Sequence, residues 1–226
     1  MWALGYSRSM AVEVKTDDLK TQDFLNCLEA VIQLISKEET RTDGYSTIIE
    51  HSENVGKYVC LIYDNLPKRL QKYPREHIRL AGYYHDIGKL MIHRCYPELL
   101  GKSAFDSDDR ITIKEHTHFG VILLYLWASR VHYNVTEPIF RCLHEAVLYH
   151  HERTDGSGYL GLTDNTPFLG ELVAVADCFS AGIENRVYGT KKSYKTMLKE
   201  LKKSPLNQRY VKALIKGLRK SSENIE

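Results

Sequence analysis

The sequence predicts an all-α fold, a helical bundle whose ligand-type side chains project into a shared interior. Three observations carry that expectation. Apolar residues recur at spacings of three and four along most of the chain, the period of a helix with one buried face. No stretch alternates apolar and polar residues over a useful length, so strands are not expected. Histidines and acids gather near the ends of the helical stretches, where neighbouring helices of a bundle can bring them together.

Each element follows from its own residues. Phe24, Cys27, Leu28, Val31, Ile32, Leu34 and Ile35 mark a first helix, with Asp17 or Asp18 as its cap. A second runs from about Ser46 to Asn65, carries His51, Val55, Val59 and Ile62, and stops before Pro67. A third starts near Arg75 and delivers His85-Asp86 close to its end, where Gly88 interrupts the pattern. Residues 101–110 read as a loop. A fourth helix is expected from Ile111 to Val131, with His116 near its start. A fifth opens at Thr136 as N-cap with Pro138 in its first turn, and ends in His150-His151. The glycines of Asp155-Gly156-Ser157-Gly158 require a loop. A sixth helix covers Phe168 to Glu184 and carries Asp177. Two basic amphipathic helices flank Pro205. The expected division is residues 1–40 as a segment with one amphipathic helix, 41–190 as the core, and 191–226 as basic helices packed on it.

Composition narrows the function. A hydrophobic fraction of 43% can fill a core in a chain of 226 residues. A formal net charge of +2 gives no general case for binding DNA. Residues 191–220 hold 11 Lys/Arg against the single acid Glu200, leaving the rest of the chain at −8. That basic stretch is expected to be a solvated helical face. Cys27, Cys60, Cys95, Cys142 and Cys178 are odd in number, far apart and without a C-x-x-C, which argues against disulfides or a thiolate zinc site and fits a reducing cytoplasm. No stretch reaches the roughly 18 apolar residues of a membrane span, and the N-terminus lacks the charged-then-apolar order of a signal peptide.

Two doublets dominate the chemistry: His85-Asp86, with Lys89 three residues on, and His150-His151. On a helix, adjacent residues diverge by about 100°, so each doublet can straddle a site rather than stack on one face. The two oxygens of Asp86 can bridge two cations, and Lys89 can return to the same place as a point charge. Asp177 stands in an apolar run, Leu172 to Ala176 before it and Cys178-Phe179 after, so its charge would be buried and must be paired or metal-bound. With His51 and His116 these make seven groups, too many for one tetrahedral ion and suited to two octahedral ones. Imidazole with carboxylate suits iron, manganese or zinc, and such a pair suits cleavage of a phosphate ester. His77, His93, His118, His132 and His144 read as surface or packing residues.

The stretch His85-Asp86-Ile87-Gly88-Lys89 resembles the signature of the HD phosphohydrolases. His150-His151-Glu152-Arg153-Thr154-Asp155-Gly156-Ser157-Gly158-Tyr159 resembles the HHExxDGxGYP motif of their HD-GYP subgroup. His51-Ser52-Glu53, His116 to Gly120, Gly161-Leu162 and Val175-Ala176-Asp177 keep the family order, so the likeness spans about residues 43 to 190. It implies an HD-type helical core in a cytoplasmic bacterial signalling protein. It implies a phosphodiesterase that linearises cyclic di-GMP or a related cyclic dinucleotide. It places the metal ligands on His51, His85, Asp86, His116, His150, His151 and Asp177, the catalytic pair on Asp86 and Lys89, and nucleotide contacts on Tyr159, Arg186 and Lys89. Iron or manganese is the implied metal, as two ions. Thr47 stands where some members carry a third-metal glutamate, and Glu50 is an acid at the wrong spacing.

Other departures lie nearer the substrate. Leu160 replaces the proline of the GYP triplet, and a looser loop is expected there. Cys178-Phe179-Ser180-Ala181-Gly182-Ile183 departs from the usual D-x-F-D-A-L, and Gly189 replaces a common lysine. These changes keep two alternatives open: another nucleotide phosphohydrolase of the superfamily, and a module that holds metal and nucleotide with little turnover. Regulation by a separate sensor protein and pairing of two subunits through residues 1–40 complete the expectations.

Overall fold

The computed structural model describes residues 19–39, 47–99, 102, 104–185 and 191–223. Within them the fold is all helical, as α1 (Leu19–Glu39), α2 (Ile48–Asp64), α3 (Arg75–Tyr84), α4 (Lys89–Cys95), α5 (Ser107–Lys114), α6 (His116–Arg130), α7 (Pro138–Tyr149), α8 (Phe168–Ile183), α9 (Tyr194–Leu201) and α10 (Gln208–Glu223). Short 3-10 turns at Lys68–Leu70 and Pro97–Leu99 complete it. No described helix is long and apolar enough to cross a membrane. The five cysteines are all free thiols. The expected Asp17 or Asp18 cap lies outside the described residues.

The apolar side chains fill two adjoining cores. One gathers α2, α8, α9 and α10 around Val55, Val59, Ile62, Val173, Phe179, Val211 and Leu214. The other gathers α1, α4 and α6 around Phe24, Leu28, Ile32, Ile87 and Leu124. Helices α3 and α7 serve both. Ile78 and Ala81 of α3 face the first core while Leu80 and Tyr84 face the second. Cys142 and Ala146 of α7 face the first, and Phe140, Leu143 and Val147 the second. These two helices are packed from both sides, and it is their C-terminal ends that carry His85-Asp86 and His150-His151.

Several boundaries differ from expectation, each for a local reason. Helix α5 begins inside the expected loop, at Ser107. Asp106 accepts from the Asp108 and Asp109 amides, and Asp109 returns the bond to the Asp106 amide. Three aspartates that look loop-like are a cap and a first turn that complement the helix dipole. The single expected helix from Ile111 to Val131 is two, broken at Glu115. There His116 Nδ1 donates to Ile113 O at 2.6 Å and Thr117 Oγ1 to Lys114 O at 3.2 Å. These side chains compete for carbonyls that an unbroken helix gives to its own amides. The N-cap of α7 is Glu137, with Pro138 at N1; Thr136 instead donates to the Asn134 carboxamide. Helix α7 ends at Tyr149, with His150 as its C-cap.

Gly88 acts by size, because its φ of −69° is ordinary helical backbone. A Cβ there would lie 1.8 Å from His116 O and 2.5 Å from Gly120 N. The missing side chain is what lets the turn after His85-Asp86 sit directly on the first turn of α6. Gly88→Ala therefore forces backbone apart at the site. It is expected to destabilise by about 3 kcal/mol or more, lowering the thermal midpoint by roughly 6–12 °C in a chain of this size. Circular dichroism melting checks this.

Candidate metal centre

Four imidazoles enter one buried space, and each is oriented from behind. His85 Nδ1 lies 2.7 Å from Gly82 O. His116 Nδ1 lies 2.6 Å from Ile113 O, and His150 Nδ1 2.9 Å from Ala146 O. His51 Nδ1 lies 2.9 Å from a carboxylate oxygen of Glu184. Carbonyl and carboxylate oxygens only accept, so every Nδ1 carries the proton. In that tautomer a neutral ring turns its Nε2 lone pair inward, the arrangement in which histidine ligates metals. Backbone carbonyls three or four residues earlier do this for three of the four rings. The helix ends that present these histidines also fix their tautomers.

The inward atoms meet around two carboxylates. Asp86 Oδ1 lies 3.2 Å from His116 Nε2 and 3.6 Å from His150 Nε2. Its other oxygen, Oδ2, lies 3.3 Å from His85 Nε2, 4.0 Å from His51 Nε2 and 2.6 Å from Lys89 Nζ. Asp177 Oδ1 lies 3.1 Å from His51 Nε2 and 3.9 Å from His85 Nε2. The potential ligand atoms fall into two groups: Asp86, His116, His150 and His151, and His51, His85 and Asp177. All seven residues named from the sequence are here. Lys89 joins them from the start of α4. Arg186 lies outside the described residues. None of His77, His93, His118, His132 and His144 enters either group.

The arrangement fits cations. His116 Nε2 and His150 Nε2 lie 3.3 Å apart, two lone pairs facing one another. His85 Nε2 is buried without a hydrogen-bond partner. Protonating four rings beside Lys89 would crowd five positive charges around Asp86 and Asp177 in a space of low dielectric. Neutral rings sharing their lone pairs with metal ions avoid that cost. Burial opposes ionisation of Asp86, but the Lys89 ammonium beside it overrides that and holds the carboxyl well below the usual range. For His151, burial pushes the pKa well down and favours the neutral ring.

Beyond the ligand groups, Tyr159 stacks on His151 with ring centroids 4.2 Å apart and planes at 21°. Lys114 lies 5.2 Å over the outer face of the Tyr159 ring. Burial, then the charge of Asp86, pushes the Tyr159 phenol up to about 12. It stays a hydrogen-bond donor at neutral pH.

The loop that carries Tyr159 is tied down rather than loosened. Glu152 is buried and accepts from the Leu160 amide at 2.8 Å and the Leu162 amide at 2.8 Å. Leu160 therefore supplies an N–H that a proline at that position lacks. Gly158 passes so close that a Cβ would lie 2.6 Å from Glu152 Cα. Glu152 and Glu184 are the buried acids that the sequence reading left without a role. Glu184 had a legible signal, since positions 177, 180 and 184 share one face of α8 and its end. Glu152 had none, because its partners are backbone amides.

Comparison with known proteins agrees with this geometry. The HD domain family model matches residues 29–214. A cyclic di-GMP phosphodiesterase of Thermotoga maritima is 36% identical over 128 residues, covering 55% of this chain and 32% of that protein. A 3′3′-cGAMP-specific phosphodiesterase of Vibrio cholerae is 31% identical over 120 residues, covering 52% of this chain and 20% of that protein. A cyclic di-GMP phosphodiesterase response regulator of Xanthomonas campestris is 30% identical over 162 residues, covering 71% of this chain and 39% of that protein. The chain thus spans less than half the length of each of these relatives.

The role of Glu152 is measurable. Glu152→Ala should speed hydrogen exchange at the Leu160 and Leu162 amides by at least about tenfold, since each loses a charge-assisted bond of about 1.5–3 kcal/mol. Amides of α7 should be unaffected.

Proposed function

This chain belongs to the HD domain family, and from that premise we propose that it is a metal-dependent phosphodiesterase opening a cyclic dinucleotide, cyclic di-GMP first, to the linear dinucleotide. The observation that carries the reading is the Asp86 carboxylate, which turns one oxygen to each of two ligand groups. The printed activities of the relatives supply the substrate class.

In this reading two divalent ions, iron or manganese, would be held by Asp86 together with His51, His85 and Asp177 on one side and His116, His150 and His151 on the other. When bound, such a pair lowers the pKa of water and offsets charge on a phosphate. A third ion is not part of the proposal. Thr47 caps α2, and the Glu50 carboxylate accepts from the Thr47 amide at 3.1 Å, so both side chains are engaged in a capping box.

The chain's own groups then divide the work. The water oxygen bonds to phosphorus, the bond to the ribose oxygen breaks, and that oxygen gains a proton. Lys89, only partly exposed beside Asp86, is placed to offset charge developing on the non-bridging oxygens. Tyr159 offers a phenol O–H and an aromatic face to the nucleotide. Arg186 is proposed to reach the same ligand.

The test is turnover of cyclic di-GMP by the manganese- or iron-loaded chain, with the product resolved as the linear dinucleotide. Asp86→Ala should lose bound metal and hydrolysis together, the rate falling by at least about 1,000-fold. Lys89→Ala should keep its metal and lose about 100-fold or more in kcat. Full turnover in Asp86→Ala, or binding of cyclic di-GMP without any turnover in the loaded wild type, would overturn the proposal.

A further inference from the structure

Glu184 closes α8 as its C-cap and is buried. One carboxylate oxygen accepts from His51 Nδ1 at 2.9 Å. The other accepts from Asn54 at 3.0 Å and from Ser180 Oγ at 2.5 Å. His51 and Asn54 stand three residues apart on α2, and Ser180 precedes Glu184 by one turn of α8. The carboxylate thus ties the end of α8 to the α2 face that carries His51. Of the four back-bonded rings, His51 alone uses a side chain rather than a backbone carbonyl.

The resembled D-x-F-D motif would put a second aspartate at position 180, where this chain has Ser180. Because Ser180 Oγ touches Glu184, a longer acid at 180 would reach the same spot beside His51. We infer that Glu184 is a positioning residue for the metal centre: it supplies, from one helical turn further along α8, the carboxylate that position 180 no longer carries, and so holds the His51 ring with Nε2 turned toward Asp177 and Asp86.

The inference rests on His51 being a ligand, and it predicts a tautomer as well as an affinity. The Nδ1 proton donates to Glu184, so the bare nitrogen must be Nε2. A serine at 180 is short and serves as a donor to Glu184, so it cannot replace the acceptor.

Three proteins decide it: the wild type, Glu184→Ala, and Glu184→Ala combined with Ser180→Asp. Alanine removes the acceptor, and circular dichroism confirms equal folding. Two readouts apply. Nitrogen-15 NMR of the metal-free proteins reads the His51 tautomer, and manganese titration reads affinity. Glu184→Ala should move His51 away from the Nδ1–H form and weaken manganese binding about tenfold or more. The double variant should restore both to near wild-type values. An unchanged His51 tautomer in Glu184→Ala overturns the positioning role, and a double variant no better than the single overturns the relocation. If the wild type takes up no manganese while the tautomer responds as expected, the metal reading fails and the positioning of His51 stands.

Discussion

Asp86 offers a single carboxylate to two sets of imidazoles, and the helices pack so that both sets reach it. Asp86 stands with Oδ2 toward His51 and His85 and Oδ1 toward His116 and His150. A carboxylate can do this only if ligands converge from both sides, and the convergence requires helices from two cores. The fold answers with α3 and α7, each packed into both. Their ends carry the doublets, so helices packed on both sides hold the groups whose placement matters most.

The seam between the cores explains the glycines near the site. The turn after Asp86 must rest on α6 if His116 is to reach Oδ1, and Gly88 leaves room for that contact. The broken helix around Glu115 belongs to the same solution. His116 donates a hydrogen bond from Nδ1–H to Ile113 O, and that diversion ends α5 where the ring must turn inward. A break that is costly as helix is useful as a ligand mount.

Much of this could be read from the residues. The helices follow the three-and-four spacing, and all seven ligand-type side chains converge. What could not be read was local competition for hydrogen bonds. The aspartates at 106, 108 and 109 resemble a loop until one of them is seen capping a helix. Thr136 resembles an N-cap until Asn134 takes its amide and hydroxyl. Two departures from the family motif also change meaning in three dimensions. Leu160 seemed to free its loop, yet its amide is held by Glu152. Ser180 seemed to lose an acid, yet Glu184 stands beside it. Sequence pattern registers the missing residue at its own position. Space allows a neighbour one turn or eight residues away to fill its place.

The proposed pair of ions shared between the two ligand groups at Asp86 is tested by electron paramagnetic resonance of the manganese-loaded wild-type chain with its metal content counted. Two ions per chain with the signature of spin coupling between close neighbours are expected. A single ion, or two ions that behave as isolated centres, would rule the pair out.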